Sequence, residues 1–183
     1  MEDISLHILD IVENSLNAGA STVTVRIRDD DGEGIFSFET EDDGKGIPDG
    51  LEEKAADPFY TTGSTRSVGL GLSLLAQAAQ ETGGKISIGR AEHGGTLVAA
   101  TFNKHHVDMK PLGDIAATFL VLIVGNPDVD FRFSYVRNKK SFSLDSREIK
   151  NALEGSPLNS SPSISVIKQY LEEAFTYLGS DVV

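Results

Sequence analysis

The chain has 183 residues, no cysteine, and 16 Lys plus Arg against 28 Asp plus Glu, a formal charge of −12. Without cysteine, disulfide frameworks and zinc–thiolate sites are excluded, and the acidity argues against a basic nucleic-acid surface, because that affinity comes from Lys and Arg displacing phosphate counterions. No leader-like opening and no run near the ~18 apolar residues of a membrane span is present, so the expectation is a cytoplasmic protein that binds neither nucleic acid nor membrane.

In chain order, Ile4, Ile8, Ile11 and Val12 recur at helical spacing with Ser15 and Leu16 beyond. The pattern predicts an amphipathic helix from Asp3 to Ala18, ended by Gly19. Val23, Val25 and Ile27 alternate with polar residues, and Asp29 to Gly34 turns this strand into another from Ile35 to Glu41. A loop and a short helix near Leu51 to Ala55 lead to a second long helix, from about Leu70 to Thr82, stopped by Gly83 and Gly84. Lys85 to Arg90 and Thr96 to Phe102 read as a hairpin. This order predicts an α/β fold, a two-layer sandwich with helices on one face of a sheet.

The texture changes near residue 105. Up to Asn103 there are 7 basic against 18 acidic residues, and beyond it 9 against 10. The expected organisation is a first domain over 1–104 and a small C-terminal α+β extension over 105–183. In the extension Asp114 can cap a helix through Ile115 to Val124, with a buried strand as the alternative for so short and branched a run. Val129, Phe131, Phe133 and Tyr135 alternate, and Asn138-Lys139 turns them into Ser141 to Leu144. Asp145 with Glu148 resembles a capping box for a helix to Leu153. After the linker-like Gly155 to Pro162, a last helix from Ser163 to Leu178 carries Ile167, Tyr170, Leu171, Ala174, Phe175 and Leu178 on one stripe, read as core with a partner surface as the alternative.

Four segments of the first part carry chemistry. In the first helix Asp10 and Asn14 share a face, with Glu13 on the neighbouring edge, and such a pair can hold a metal ion and a water or simply face solvent. Acidic residues at a strand end are followed by two glycines in EDDGKGIP, residues 41–48, where a ligand could approach the backbone closely and a carboxylate could accept from an amino group. The loop DPFYTTGSTRSV, 57–68, is too rich in Thr, Ser and Gly to be a packed element. It feeds GLGL at Gly69 to Leu72, a glycine-rich helix entry whose unpaired N–H groups and dipole suit a phosphate. This is neither a Walker motif nor the dinucleotide fingerprint.

In this order and spacing the segments resemble the GHKL ATPase superfamily of gyrase B, Hsp90, MutL-type proteins and sensor histidine kinases. DIVENSLNAGAS looks like the N box, DDGKGIP like G1, DPFYTTGSTR like the F box and ATP lid, VGLGL like G2, and GGT at Gly94 to Thr96 like the later phosphate-side motif. The likeness covers residues 4–102, and the whole chain resembles small stand-alone bacterial histidine-kinase-like ATPases. It implies the Bergerat ATP-binding fold, with ATP and Mg²⁺ as cofactors. By resemblance Asn14 is the Mg²⁺ ligand and Asp42 reads the adenine amino group. Ala18 joins the nucleotide-binding set, Gly44 and Gly46 admit base and sugar, and Ile47 forms an apolar wall. Gly69, Leu70, Gly71 and Leu72 present N–H groups to the phosphates, while Thr96 bonds near adenine from the sheet. Arg66, the one cation of the lid, is either a γ-phosphate contact or an exposed loop arginine.

Hydrolysing members resemble MutL in carrying Glu four residues before the Asn. Here that general-base position is Asp10, shorter by one methylene, roughly 1.5 Å of reach. The resemblance therefore implies a regulatory ATPase or nucleotide switch with slow hydrolysis. A second reading is a histidine- or anti-sigma-type serine kinase whose phosphoacceptor lies in a partner chain, because His7 falls inside the N-box helix and reads as structural. A third is an ATP-sensing module without turnover. Oligomeric state is left open, with a homodimer among the options.

Overall fold

The computed structural model describes residues 3–46, 70–92 and 94–179. Helix α1 (Ile4–Asn17) begins where Asp3 accepts from the Leu6 N–H at 3.0 Å, and ends at Ala18 before Gly19, whose φ of +78° a side chain would strain. Strands β1 (Thr22–Asp30) and β2 (Ile35–Asp42) form an antiparallel hairpin. Helix α2 (Leu70–Glu81), β3 (Lys85–Arg90) and β4 (Thr96–Asn103) follow. Then come α3 (Ile115–Gly125), β5 (Asp130–Arg137), β6 (Lys140–Asp145), α4 (Ser146–Ala152) and α5 (Ser161–Leu178). The expected short helix near Leu51 to Ala55 and the loop 57–68 with Arg66 lie outside the described residues.

All six strands join one sheet in the order β3-β4-β2-β1-β5-β6, and only β1 and β5 run parallel. The extension thus adds two strands to the open edge of β1. Residues of period two line one face: Phe102, Phe36 and Asp29 form an inner row, then Ala100, Phe38, Ile27 and Tyr135, then Val98, Thr40, Val25 and Phe133, and finally Asp42, Val23 and Phe131. The inner face is buried, as a two-layer sandwich requires. The outer face is polar, with Arg26 spanning Glu39 and Glu41 at 2.6 and 2.8 Å.

Helix α3 is apolar all round, and the described fold settles the helix-or-strand alternative in favour of the helix. Asp114 caps it by accepting from the Ala117 N–H at 2.8 Å, and Phe119 stacks on Phe133 with centroids 3.8 Å apart. Asp145 caps α4 through the Arg147 N–H. Helix α5 starts two residues before its expected Ser163, capped by Ser160, and buries Ile167, Leu171, Phe175 and Leu178. Tyr170 departs from the expected stripe, being 47% exposed. No helix among the described residues is long and apolar enough to cross a membrane.

Candidate nucleotide-binding site

The C-terminal half of α1 forms one wall of the site, because its buried stripe of Ile8, Ile11, Val12 and Ser15 fixes the roll of the helix on the sheet. That roll leaves Asp10 and Asn14 half-buried and Glu13 exposed. Gly71, in the first turn of α2, sits directly against Asp10: a Cβ built there would lie 2.3 Å from Asp10 Oδ2. The glycine thereby lets a carboxylate reach the positive end of the α2 dipole. Leu70 opens that helix, and Leu72 packs against the core.

Asp42 ends β2 on its inner face, 6% exposed. Its Oδ2 accepts from Ser15 Oγ at 2.7 Å, and its Oδ1 accepts from the N–H groups of Gly44 at 2.9 Å and Thr96 at 3.2 Å. A carboxylate offers about four acceptor positions, so among the described residues one remains, on Oδ2. The Thr96 contact is made by its backbone. Ser15 and Thr96 therefore hold the carboxylate to which the resemblance gives the adenine role, from a helix and a strand at once.

The turn after β2 is packed by its glycines. A Cβ on Gly44 would meet Ala18 at 3.1 Å, and one on Gly46, at φ +69°, would meet the Gly95 carbonyl at 2.9 Å. The Ala18 carbonyl accepts from the Lys45 N–H at 3.1 Å. Asp43 ties the turn back to the start of β1, accepting from the Ser21 hydroxyl at 2.6 Å and from the Ser21 and Thr22 N–H groups. Burial works against its charge, but those bonds outweigh it and hold the carboxyl below the usual carboxylate range.

The structure thus brings Asp10, Asn14, Ala18, Asp42, Gly44, Gly46, Leu70, Gly71, Leu72 and Thr96 around one region, while Ile47 and Gly69 lie outside the described residues. Sequence reasoning gave Ser15 no role in the site, and it read Asp43 and Gly95 only as members of the DDGKGIP and GGT motifs. Ser15 could have been found as a hydroxyl standing in an otherwise apolar buried stripe.

A family model described as "Histidine kinase-, DNA gyrase B-, and HSP90-like ATPase" matches residues 2–106. The chain belongs to this family. As a GHKL ATP-binding domain, it is 39% identical to the sensor protein CitS of Halalkalibacterium halodurans over 70 residues, 38% of the chain and 13% of that protein. It is 27% identical over 113 residues to a sensor histidine kinase NtrY-like protein of Rickettsia conorii, covering 60% of the chain and 18% of the relative. The chain therefore spans less than a fifth of either relative. Among solved structures, the N-terminal domain of a DNA repair protein superposes with a TM-score of 0.52 at 16% identity, over 82% of this chain and 56% of that one, a likeness of fold. The catalytic domain of the histidine kinase ThkA is 29% identical over 54% of this chain and 64% of its own, with a TM-score of 0.42.

The carboxylate of Asp42, held in place by protein donors, fits the amino group of a nucleotide base. Gly44, Gly46, Gly71 and Gly95 let the walls of this region pack against one another more closely than a Cβ would permit. Among the described residues no group of three or more His, Cys, Asp or Glu converges as a metal cage.

Proposed function

We propose that this GHKL domain binds Mg²⁺-ATP between α1, the turn after β2 and the N-terminus of α2, and acts as a nucleotide-dependent regulatory switch with slow hydrolysis. The observation that carries the reading is Asp42, a buried carboxylate held, among the described residues, by three protein donors with one acceptor position left. That position suits an exocyclic amino group, as on adenine, and repels the carbonyl that guanine carries there. Asn14 would supply an oxygen to Mg²⁺, and the first-turn N–H groups of α2 at Leu70, Gly71 and Leu72 would face phosphate oxygens.

Mg²⁺ supplies charge neutralisation of the polyphosphate when bound. In this chain Asp10 has the task of accepting the proton of an attacking water, and its contact with Gly71 supports its place at the phosphate end. Its short side chain favours slow turnover. The kinase reading is the second, favoured by relatives named as sensor histidine kinases, and needs an acceptor in a partner chain. Incubation with γ-labelled ATP separates the two. Released phosphate supports the switch, label on a partner supports the kinase, and neither product leaves an ATP-sensing module.

A further inference from the structure

Strand β6 ends the sheet, and among the described residues no strand lies beyond it. The two-residue turn at Asn138 and Lys139 makes Arg137 and Lys140 the first bonded pair of the hairpin. Bonding to β5 then alternates through Phe142 and Leu144, so the N–H and C=O groups of Ser141 and Ser143 point outward from the edge. Neither a proline nor a bulge blunts that edge, and its middle, Ser141 to Leu144, carries no charge.

Helix α5 adds a second uncovered surface. Val166, Tyr170 and Tyr177 fall within about 40° of one another around its axis, beside the buried stripe, and are 59%, 47% and 59% exposed. The Lys168 and Glu172 flank of the helix lines a groove with Asp114 and Ala117 at the start of α3. On the other flank Tyr170 meets Phe142 of β6 with ring centroids 5.8 Å apart, and Lys140 Nζ stands 5.3 Å from the centroid of Tyr177. The exposed stripe therefore overhangs the free edge of β6.

We propose that this edge and stripe are the interface with a second copy of the chain, β6 pairing antiparallel with β6 of the other copy. A two-fold axis through Phe142, perpendicular to the sheet, sets Ser141 opposite Ser143 of the other copy, and their outward N–H and C=O groups bond to each other. Tyr170, near the middle of the stripe, lies beside the same axis, so α5 meets α5 wherever β6 meets β6. A lone peptide strand would satisfy the edge and leave most of the stripe bare. The antiparallel sense also keeps Lys139 and Lys140 of the two copies at opposite ends, where a parallel pair would stack them. At about 200 Å² for a whole side chain, Tyr170 and Tyr177 together expose roughly 200 Å² per copy. With Val166 and the strand edge added, the contact has the size of a reversible interface rather than an obligate one.

The test is sedimentation equilibrium of the full chain over a concentration series, for the parent, Ser143→Pro, Tyr170→Glu and Val121→Glu, with a thermal melt of each. The parent should move from 19.6 kDa towards twice that mass as concentration rises. Ser143→Pro removes an N–H that points away from β5 and should weaken the dimer at least about tenfold, since each dimer loses that bond twice. Tyr170→Glu, at a half-exposed site, probes the helix without touching the strand and should weaken it by a similar factor. Val121→Glu changes an equally exposed apolar residue on α3, 58% exposed, and should leave the dimer unchanged. A parent that stays monomeric at its highest soluble concentration overturns the proposal. So does a dimer that survives in folded Ser143→Pro or folded Tyr170→Glu, or one that Val121→Glu alone dissociates, which would move the interface to α3.

Discussion

A carboxylate at 6% exposure needs donors, and the three around Asp42 come from a helix, a turn and a strand far apart in sequence. Gly71 plays the complementary part, creating room where Asp42 creates charge. Ala for Gly inside a helix ordinarily stabilises by about 1 kcal/mol, but a Cβ here forces Asp10 aside. A double-mutant cycle should show Gly71→Ala gaining less in the parent than in an Asp10→Ala background, with a coupling of roughly 0.5–1 kcal/mol. Urea melts of the four proteins measure it, and additive values would mean that the two residues do not touch. At Asp10, Asp10→Glu should raise turnover with little change in ATP affinity, since the group acts in the transition state; a steady-state phosphate assay beside calorimetry checks this, and unchanged turnover at preserved binding removes Asp10 as base.

His7 presents a different residue-scale problem. It is 1% exposed in α1, and neither ring nitrogen has a partner among the described residues. Burial lowers its pKa to about 4, with Lys110 adding to the effect and Asp3 opposing it. The unfolded chain therefore binds a proton between about pH 6.5 and pH 4 that the folded chain refuses, so stability is full above that window and falls as pH drops through it. From pH 7.5 to pH 5 the loss attributable to this ring is about 2 kcal/mol. Urea unfolding at both pH values should show His7→Leu losing that much less than the parent; identical pH dependence would contradict the assignment.

Among the elements, those with strong local periodicity were legible in the sequence. The apolar spacing of α1 and α2, the alternation of β1, β2 and β5, and the stops at Gly19 and Gly83 each express a constraint contained within a dozen residues. Helix α3 was ambiguous because an apolar run without a polar face has no period to read, and its cap at Asp114 and its packing on β5 settle it. Asp114→Ala should cost about 1 kcal/mol, the value of an N-cap, as read by chemical denaturation. The site was legible as motifs but not as contacts. Nothing local in ENSLN says that Ser15 will meet Asp42, or in GLGL that a glycine will face Asp10, since both contacts depend on how α1 rolls on the sheet. The parallel pairing of β1 with β5 was equally hidden, being a meeting of strands separated by more than half the chain.

For the molecule as a whole, that pairing makes β5 and β6 part of the same sheet as the candidate site. Opposite the site, Asp29, 1% exposed, is joined by Lys104, by the Tyr135 hydroxyl at 3.2 Å and by Arg137 Nε at 3.5 Å. Lys104 also reaches Asp31, and Asn138, at the tip of the β5–β6 hairpin, donates to Asp31 Oδ2 at 2.8 Å. The Asn138 bond and the Lys104 charge hold the Asp31 carboxyl down at about 2. Truncation after Lys104 would leave β1 as a bare edge beneath an uncovered α1, and we expect loss of a cooperative thermal transition; a truncated chain melting like the parent would show the extension to be separable.

The central claim, that Asp42 reads an adenine amino group in a Mg²⁺-nucleotide site, is tested most directly by titration calorimetry of Mg²⁺-ATP into the parent and Asp42→Ala, with folding of both verified by their melts. The parent should bind, and the variant should lose about 1.5–3 kcal/mol, roughly 10- to 150-fold in affinity, the worth of a hydrogen bond to a charged group. A parent that gives no binding heat at any temperature, or a folded Asp42→Ala that binds ATP as tightly as the parent, would contradict the account.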